Sequence, residues 1–185
     1  MASRSKNSRA AAMRRSAAAC KVFRITVAAF ALLFGAALAT RAAEVPKVAF
    51  FGFQLINTSP QPTGPAEDQR ITMLDELFKA RLDNSGRFKI VPIPPELQKK
   101  IAAGPEISGC NGCERDYAKS AGADWAAWGT VQKVSNLILN INVYMENAET
   151  GKMEFVKSVD IRGNTDESWR HGLDYMLRHY LLDQP

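Results

Sequence analysis

The amino-acid sequence predicts an α+β fold with a mixed sheet of about five strands, in the element order β-α-β-α-α-β-β-β-α. Segments of strand and helix character alternate through the first half of the chain. Three strand-like segments then follow without an intervening helix, which predicts a carboxy-terminal three-stranded antiparallel meander, and the chain ends in an amphipathic helix. The composition, with 46% hydrophobic and 23% charged residues in a chain of 185, is typical of a globular domain.

A basic and then apolar leader precedes the folded part. Residues 25–38 form an apolar run of 14 residues, and Ala37 and Ala39 are the small residues that signal peptidase requires. A membrane anchor is the alternative, but a helix of this length spans only about 21 Å of a hydrocarbon core of about 30 Å. We therefore expect residues 1–39 to be a Sec-type signal peptide, cleaved between Ala39 and Thr40. The product is predicted to be a periplasmic single domain, residues 40–185 and ordered over about 46–183, with no stable membrane insertion after cleavage.

The positive charge of the chain belongs to the leader. The whole chain has 24 Lys and Arg against 19 Asp and Glu, a formal net charge of +5. Seven of the bases and none of the acids precede Thr40, so the remainder has 17 bases against 19 acids and a net charge of −2. No nucleic-acid partner is therefore expected for the folded part.

The first half of the mature chain is predicted to contain two strands and three helices. Residues 47–57 are aromatic and branched without strict alternation, as in a central strand covered on both faces. A loop with three prolines follows at residues 58–65. Apolar residues at spacings of three and four then predict a helix. This helix is expected at residues 68–82. A strand is expected at residues 87–93, near a sheet edge because of Pro92, and two further helices are expected at 96–103 and 114–121.

The second half is predicted to be the meander and its covering helix. The strands are expected at residues 125–134, 137–146 and 152–162, and the middle one alternates strictly between Leu137, Leu139, Ile141, Val143 and Met145 and a more polar set. Asn164 is expected to cap the last helix, with Glu167 completing a capping box. Its apolar stripe, which includes Trp169 and Tyr180, is predicted to pack on the meander.

The most distinctive local motif is Cys110-Asn111-Gly112-Cys113. Removal of Cys20 with the leader leaves this pair outside the cytosol, which favours a structural disulfide. The alternative is a redox-active pair, although no strand leads into the motif as it does in thioredoxin-like proteins, and the acidic residue Glu114 disfavours a nearby thiolate. Zinc would need two further ligands, so we expect no metal.

A conventional enzyme is not expected, and no cofactor is predicted. The two histidines, His171 and His179, lie eight residues apart and point about 80° from each other on the last helix. No activated serine and no glycine-rich phosphate loop accompanies them.

The polar face of the meander, which is expected to be open, is the predicted binding surface. It is expected to combine residues of two neighbouring strands: Trp128, Thr130, Gln132, Asn140, Asn142 and Tyr144. Aromatic residues among short amides are typical of recognition surfaces, whereas a merely solvated sheet face is the alternative. The sequence thus favours a non-catalytic binding or accessory protein, with a thiol-disulfide redox protein using Cys110 and Cys113 and a small-ligand carrier as the other interpretations.

Two sets of motifs resemble known families. Gly122-Ala123-Asp124-Trp125 and Glu149-Thr150-Gly151 resemble motifs of the periplasmic α/β domain shared by the TolB amino-terminal domain, the curli secretion lipoprotein and the lipoprotein activators of penicillin-binding proteins. The cysteine motif and residues 160–169 (DIRGNTDESW) resemble an alphaproteobacterial exported family of unknown function, domain of unknown function 3280, also labelled 2380. The resemblance implies the same fold, no established activity and no catalytic residues. It also implies an envelope protein partner, and a quinoprotein oxidation system is suggested because such genes are found beside periplasmic alcohol-oxidation systems.

Overall fold

The chain has the predicted α+β fold, with the elements in the predicted order. The computed structural model describes residues 44–183. The elements are β1 (Lys47–Asn57), α1 (Pro65–Asn84), β2 (Lys89–Ile90), α2 (Pro95–Ala102), a 3-10 turn (Ile107–Gly109), α3 (Cys113–Ser120), β3 (Trp125–Lys133), β4 (Ile138–Asn147), β5 (Met153–Arg162) and α4 (Asp166–Met176), which continues into a π-helical turn (Leu177–Leu182). Among these residues, no helix is long and apolar enough to cross a membrane.

The five strands form one mixed sheet in the order β2-β1-β3-β4-β5. β1 is parallel to both of its neighbours, whereas β3, β4 and β5 are antiparallel and form the predicted meander. The connection from β1 to β2 runs in one direction along the sheet, and the connection from β2 to β3 returns past β1. Since parallel crossovers are almost always right-handed, these two connections must lie on opposite faces.

Each face of the sheet is therefore covered by its own helices and has its own core. The larger core packs α1 and α4 against one face around Phe78 and Trp169, and both side chains are fully buried. The smaller core packs α2, the 3-10 turn and α3 against the other face, around Tyr117 and Trp128. Only the first part of this second face is covered, so the sheet is half open on that side.

A β-bulge at Gly52 changes which side chains of β1 face each side of the sheet. A register shift lies between Phe50 and Phe53, and Gly52 has a φ of +89°, which favours glycine. Phe50 and Phe53 consequently both face the larger core, although they lie three positions apart in the strand. The Phe53 N–H donates a 2.7 Å hydrogen bond to Asp75 Oδ1 of α1. Beyond this bulge, Ile56 lies on the half-open face.

The strand boundaries differ most from the sequence prediction in β2 and at the start of β4. The strand expected at residues 87–93 is reduced to Lys89–Ile90, because the chain leaves the ladder one residue before Pro92, after the Val91 N–H has donated to Val48 O (3.0 Å). Leu137, expected in the buried row of the middle strand, is 71% exposed. β4 begins at Ile138 because Ser135 Oγ accepts the N–H groups of Leu137 and Ile138 and closes a turn there.

The start of α4 lies one residue later than predicted. Thr165 is the N-cap, and its Oγ1 accepts the backbone N–H of Ser168 at 3.2 Å. The predicted cap, Asn164, is engaged elsewhere: Nδ2 donates to Glu67 Oε1 (2.7 Å), and Oδ1 accepts the Trp169 indole N–H (3.0 Å). The capping role of Asn164 was therefore a wrong prediction, because its side chain links α1 to α4.

Candidate functional site

The six residues predicted as a binding surface lie side by side on one face of the sheet. The register pairs Trp128 with Tyr144, Thr130 with Asn142 and Gln132 with Asn140. The Trp128 and Tyr144 rings stack with centroids 5.3 Å apart and planes inclined by 15°. Asn142 Nδ2 donates to Thr130 Oγ1 at 3.1 Å. The predicted strand pairing thus brings the aromatic and amide side chains into direct contact.

The part of this face that was expected to be open is partly covered. Trp128 is 7% exposed and Thr130 is 3% exposed, because α2, α3 and the 3-10 turn pack over the first half of the face. Asn140, Asn142 and Tyr144 are half-buried, and Gln132 is exposed. The six residues therefore form the floor and border of a partly covered surface, and an entirely open polar face was a wrong expectation.

Two adjoining depressions meet at Ile56 of β1: one lies on the half-open face, and the other lies at the β1 edge, between α1 and the 3-10 turn. One has a volume of about 380 Å³ and is lined by Ile56, Ile107, Ser108, Asn111, Glu114, Trp128, Thr130, Tyr144 and Met153. The other has about 640 Å³ and is lined by Gln54, Leu55, Ile56, Thr63, Asp68, Ile71, Glu106 and Ser108. They share Ile56 and Ser108, and we call the two together the sheet-face groove.

The groove has acidic and apolar walls. Its charged lining residues are Asp68 in the first turn of α1, Glu106 before the 3-10 turn and Glu114 in α3. Among the residues that line the two depressions, none is lysine, arginine or histidine. The proline-rich loop at residues 58–65 contributes Thr63.

The predicted disulfide is present beside the groove. Cys110 and Cys113 are bonded and flank Asn111 and Gly112, both of which have positive φ. Glu114 Oε2 accepts the Gly112 N–H at 3.0 Å and lies 3.0 Å from Cys110 Sγ. The carboxylate and the disulfide therefore fix the loop that forms one wall of the groove.

Sequence reasoning missed a pair of neighbouring buried acids at this wall. Glu114 of α3 and Glu146 of β4 are each 7% exposed. Burial raises the pKa of Glu146, the negative charge of Glu114 raises it further, and Arg115, whose Nε lies 3.6 Å from Glu146 Oε1, opposes the shift. The alternation of β4 placed Glu146 on the polar face, but nothing in the sequence placed α3 over it.

Among the described residues, Cys110, Cys113 and Glu114 also have potential metal-ligand atoms that lie within 4.8 Å of one another. Both sulfurs are bonded to each other, so neither is the thiolate that zinc prefers. The observed disulfide and a metal on these residues are mutually exclusive.

A buried ion pair fixes the far end of the groove. Lys133 Nζ donates to Glu67 Oε1 at 2.5 Å, and Glu67 Oε2 accepts the Gly64 N–H at 2.7 Å. Burial raises the pKa of Glu67, but these two hydrogen bonds, with a third from Asn164 and the positive charge of Lys133, outweigh burial and hold the pKa below its ordinary value. The Thr58 N–H and Oγ1 both donate to Lys133 O, so β3 holds both ends of the proline-rich loop. The predicted cleavage site between Ala39 and Thr40 lies outside the described residues.

Comparisons with known proteins place the chain in a family. A search of curated proteins finds no match. Among solved structures, the chain is similar to the LpoB C-terminal domain from Salmonella enterica, with 12% identity, a TM-score of 0.48 and coverage of 64% of this chain and 83% of that one. It is also similar to lipoprotein GNA1162 from Neisseria meningitidis (15%, TM-score 0.49, 75% and 95%) and to TolB from Acinetobacter baumannii (14%, TM-score 0.43, 74% and 29%). The family profile DUF3280, described as "Protein of unknown function (DUF2380)", matches residues 46–181, and the chain belongs to that family, as its motifs predicted.

Proposed function

We propose that this protein is an exported, non-catalytic accessory protein of the periplasm that binds an envelope protein through the sheet-face groove. The observation that carries the proposal is the stacked pair of Trp128 and Tyr144 at the floor of the groove. The Asn142 amide lies beside it, bonded to Thr130. Rigid aromatic side chains next to short amides supply contact area and adaptable hydrogen bonds at a small cost in conformational entropy.

The border of the groove offers apolar contact area as well. Ile56, which lines both depressions, is 42% exposed, and Met153 is also exposed. Apolar groups around a central aromatic pocket exclude water from it when a partner binds, and such centres contribute most of the binding energy of protein interfaces. A quinoprotein oxidation system is one candidate partner within this proposal.

The disulfide is part of this proposal as a structural element. A redox mechanism would need a stable thiolate, and Glu114 Oε2, 3.0 Å from Cys110 Sγ, places a negative charge against it. Exchange in an insulin-reduction assay that a Cys110→Ala variant abolishes would support the redox alternative instead.

The test compares two lysine substitutions on the same sheet face. Ile56→Lys inserts a long charged side chain into the groove, whereas Val156→Lys, at a 56% exposed position that pairs with Tyr144 but lines neither depression, is the matched control. The tagged proteins are expressed in the periplasm, cross-linked, and the captured proteins are quantified by mass spectrometry. We expect an envelope protein that the wild type and Val156→Lys retain and that Ile56→Lys loses about tenfold or more.

Thermal melting of both variants separates docking from folding, since substitutions at exposed sites change stability by only about 0.5 kcal/mol. Equal capture by Ile56→Lys and Val156→Lys, with normal melting of both, would contradict the proposed docking surface. Tyr144→Ala is a poorer probe, because it removes the stack with Trp128 and so lowers stability as well.

A further inference from the structure

We infer that the sheet-face groove accepts an extended partner segment in which lysine or arginine side chains alternate with apolar ones. This inference rests on the proposed function, namely that the groove is a protein-docking surface, and it specifies the chemistry of the docked segment.

The first argument is charge. Asp68, Glu106 and Glu114 stand along the groove from its far end to the disulfide loop, and no basic residue lines it. A groove lined by charges of one sign focuses the field of those charges and attracts ligands of opposite charge. The same three acids repel acidic segments, so charge alone distinguishes two classes of partner.

The second argument is hydrogen bonding. Gln54 Oε1 is buried in the wall of the larger depression and accepts no hydrogen bond from residues 44–183. A buried acceptor without a donor costs free energy that a ligand with donors can restore. Lysine and arginine side chains carry only donors, so the vacant acceptor fits the same ligand class as the acids.

The third argument is the aromatic floor. Trp128 and Tyr144 lie in the same depression as the Glu114 carboxylate. The two rings stack on each other and Trp128 is 7% exposed, so the half-buried Tyr144 ring is the one that a ligand cation can reach. Aromatic faces attract ammonium and guanidinium groups, and arginine more often than lysine occupies such sites. A carboxylate beside an aromatic pair therefore provides both parts of a site for one cationic side chain, while Ile56 and Met153 provide contacts for apolar neighbours.

The fourth argument is length. The lining residues Ile56, Thr130, Tyr144 and Met153 come from four adjacent strands, β1, β3, β4 and β5. Strands lie about 4.8 Å apart, so the floor is about 14 Å across, and an extended segment of about four residues covers that distance. In such a segment two side chains point towards the groove and two point away from it. The segment therefore has room for one or two cationic side chains among apolar ones.

The test uses synthetic peptides and the indole N–H signals of the protein. The probe is an acetylated octapeptide of lysine, leucine and serine, and its control has glutamate in place of each lysine. Saturable shifts of the Trp128 indole signal are expected with the lysine peptide and not with the glutamate peptide. The Trp169 indole, which is fully buried and donates to Asn164, is the internal reference that should not shift.

Charge variants then locate the interaction. The double variant Asp68→Asn with Glu106→Gln removes two exposed groove acids, and its control, Glu96→Gln with Glu149→Gln, removes two exposed acids elsewhere. We expect the groove variant to bind the lysine peptide about threefold to tenfold more weakly at low salt and the control to bind normally, with the difference shrinking at high salt.

Three results would overturn the inference: equal binding of both peptides, equal weakening by both double variants, or a free polyamine that binds as tightly as the lysine peptide. None of these results changes the separate capture experiment, in which the wild type retains the envelope partner and Ile56→Lys loses it. Failure of the charge preference is therefore distinguishable from failure of the docking surface.

Discussion

Lys133 shows how one residue connects the fold to the site. Its side chain is buried beside Glu67, and its backbone carbonyl holds Thr58 of the proline-rich loop. Charged groups buried this deeply are stable only when paired, because the cost of removing each from water is several kcal/mol. The pair therefore fixes the loop relative to β3, and with it the far wall of the groove.

We predict that Lys133→Met destabilises the protein by about 3 kcal/mol or more, because it leaves a buried carboxylate without its cation. Urea unfolding at pH 7 measures this loss. Lys152→Met is the control, since it breaks the exposed ion pair with Glu154, and pairs of that kind contribute about 1 kcal/mol or less. Similar losses in the two variants would contradict the assigned role of the buried pair.

The same variant has a defined pH dependence. Because the folded-state pKa of Glu67 is below its unfolded value, the stabilisation by its ionised form is complete above the ordinary carboxyl range and is lost as pH falls through the folded pKa. Asp75 and Glu146 have raised pKa values, so their contribution to the unfolding free energy changes with pH in the opposite direction, both in the wild type and in Lys133→Met. The difference in unfolding free energy between wild type and Lys133→Met should therefore shrink on acidification.

At the scale of elements, α4 approaches the sheet through Gly172. A Cβ atom added there would lie 2.4 Å from Ile161 Cγ2 and 3.2 Å from Ile141 Cδ1. The sequence shows a glycine in the middle of a helix, which lowers helix propensity by about 1 kcal/mol relative to alanine. The close contact with β5 is the structural reason for it.

Gly172→Ala should consequently lower the free energy of unfolding by about 1 to 3 kcal/mol, because the crowded core outweighs the gain in helix propensity. Calorimetric melting is the measurement. The companion variant Gly172→Ala with Ile161→Leu removes the Cγ2 branch from the contact and should recover part of the loss. A single variant more stable than wild type would show that the sheet can move away from α4.

Helix periodicity predicted α4 well until its last turn. Trp169, Leu173 and Met176 are fully buried as expected, but Tyr180 of the same predicted stripe is exposed and lies under Lys157, whose Nζ is 3.7 Å from the ring centroid. The turn at Leu177–Leu182 is π-helical and therefore wider than the 3.6 residues that the prediction assumed. The ring is consequently rotated away from the buried stripe.

For the whole molecule, the sequence predicted the order of the elements, the meander and the shared face of the six candidate binding residues. Alternation in β4 was sufficient because an antiparallel pair fixes which residues share a face. The groove was not predictable, since its walls combine α1 with the 3-10 turn and α3 on the second face, and depend on the bulge that turns Ile56 towards it. Both depend on contacts between distant parts of the chain.

Export remains a prediction at this scale. Intact-mass measurement of the periplasmic protein should find Thr40 as the first residue, because the small residues Ala37 and Ala39 follow an apolar run too short to span a bilayer. Ala39→Glu should leave the leader attached and the protein in the membrane fraction. Full-length wild-type protein in that fraction would contradict the cleavage.

At the bulge of Gly52, one backbone amide donates its hydrogen bond to a side chain. The Phe53 N–H is bonded to the Asp75 carboxylate rather than to a strand carbonyl, and burial holds the pKa of Asp75 above its ordinary value. An ionised acceptor forms a stronger hydrogen bond than a protonated one. Protection of the Phe53 amide from deuterium exchange, corrected for the intrinsic rate, should therefore decrease in mildly acidic solution while its ladder neighbours stay protected. Amide exchange at this single position thus reports the protonation of a carboxyl in the neighbouring helix.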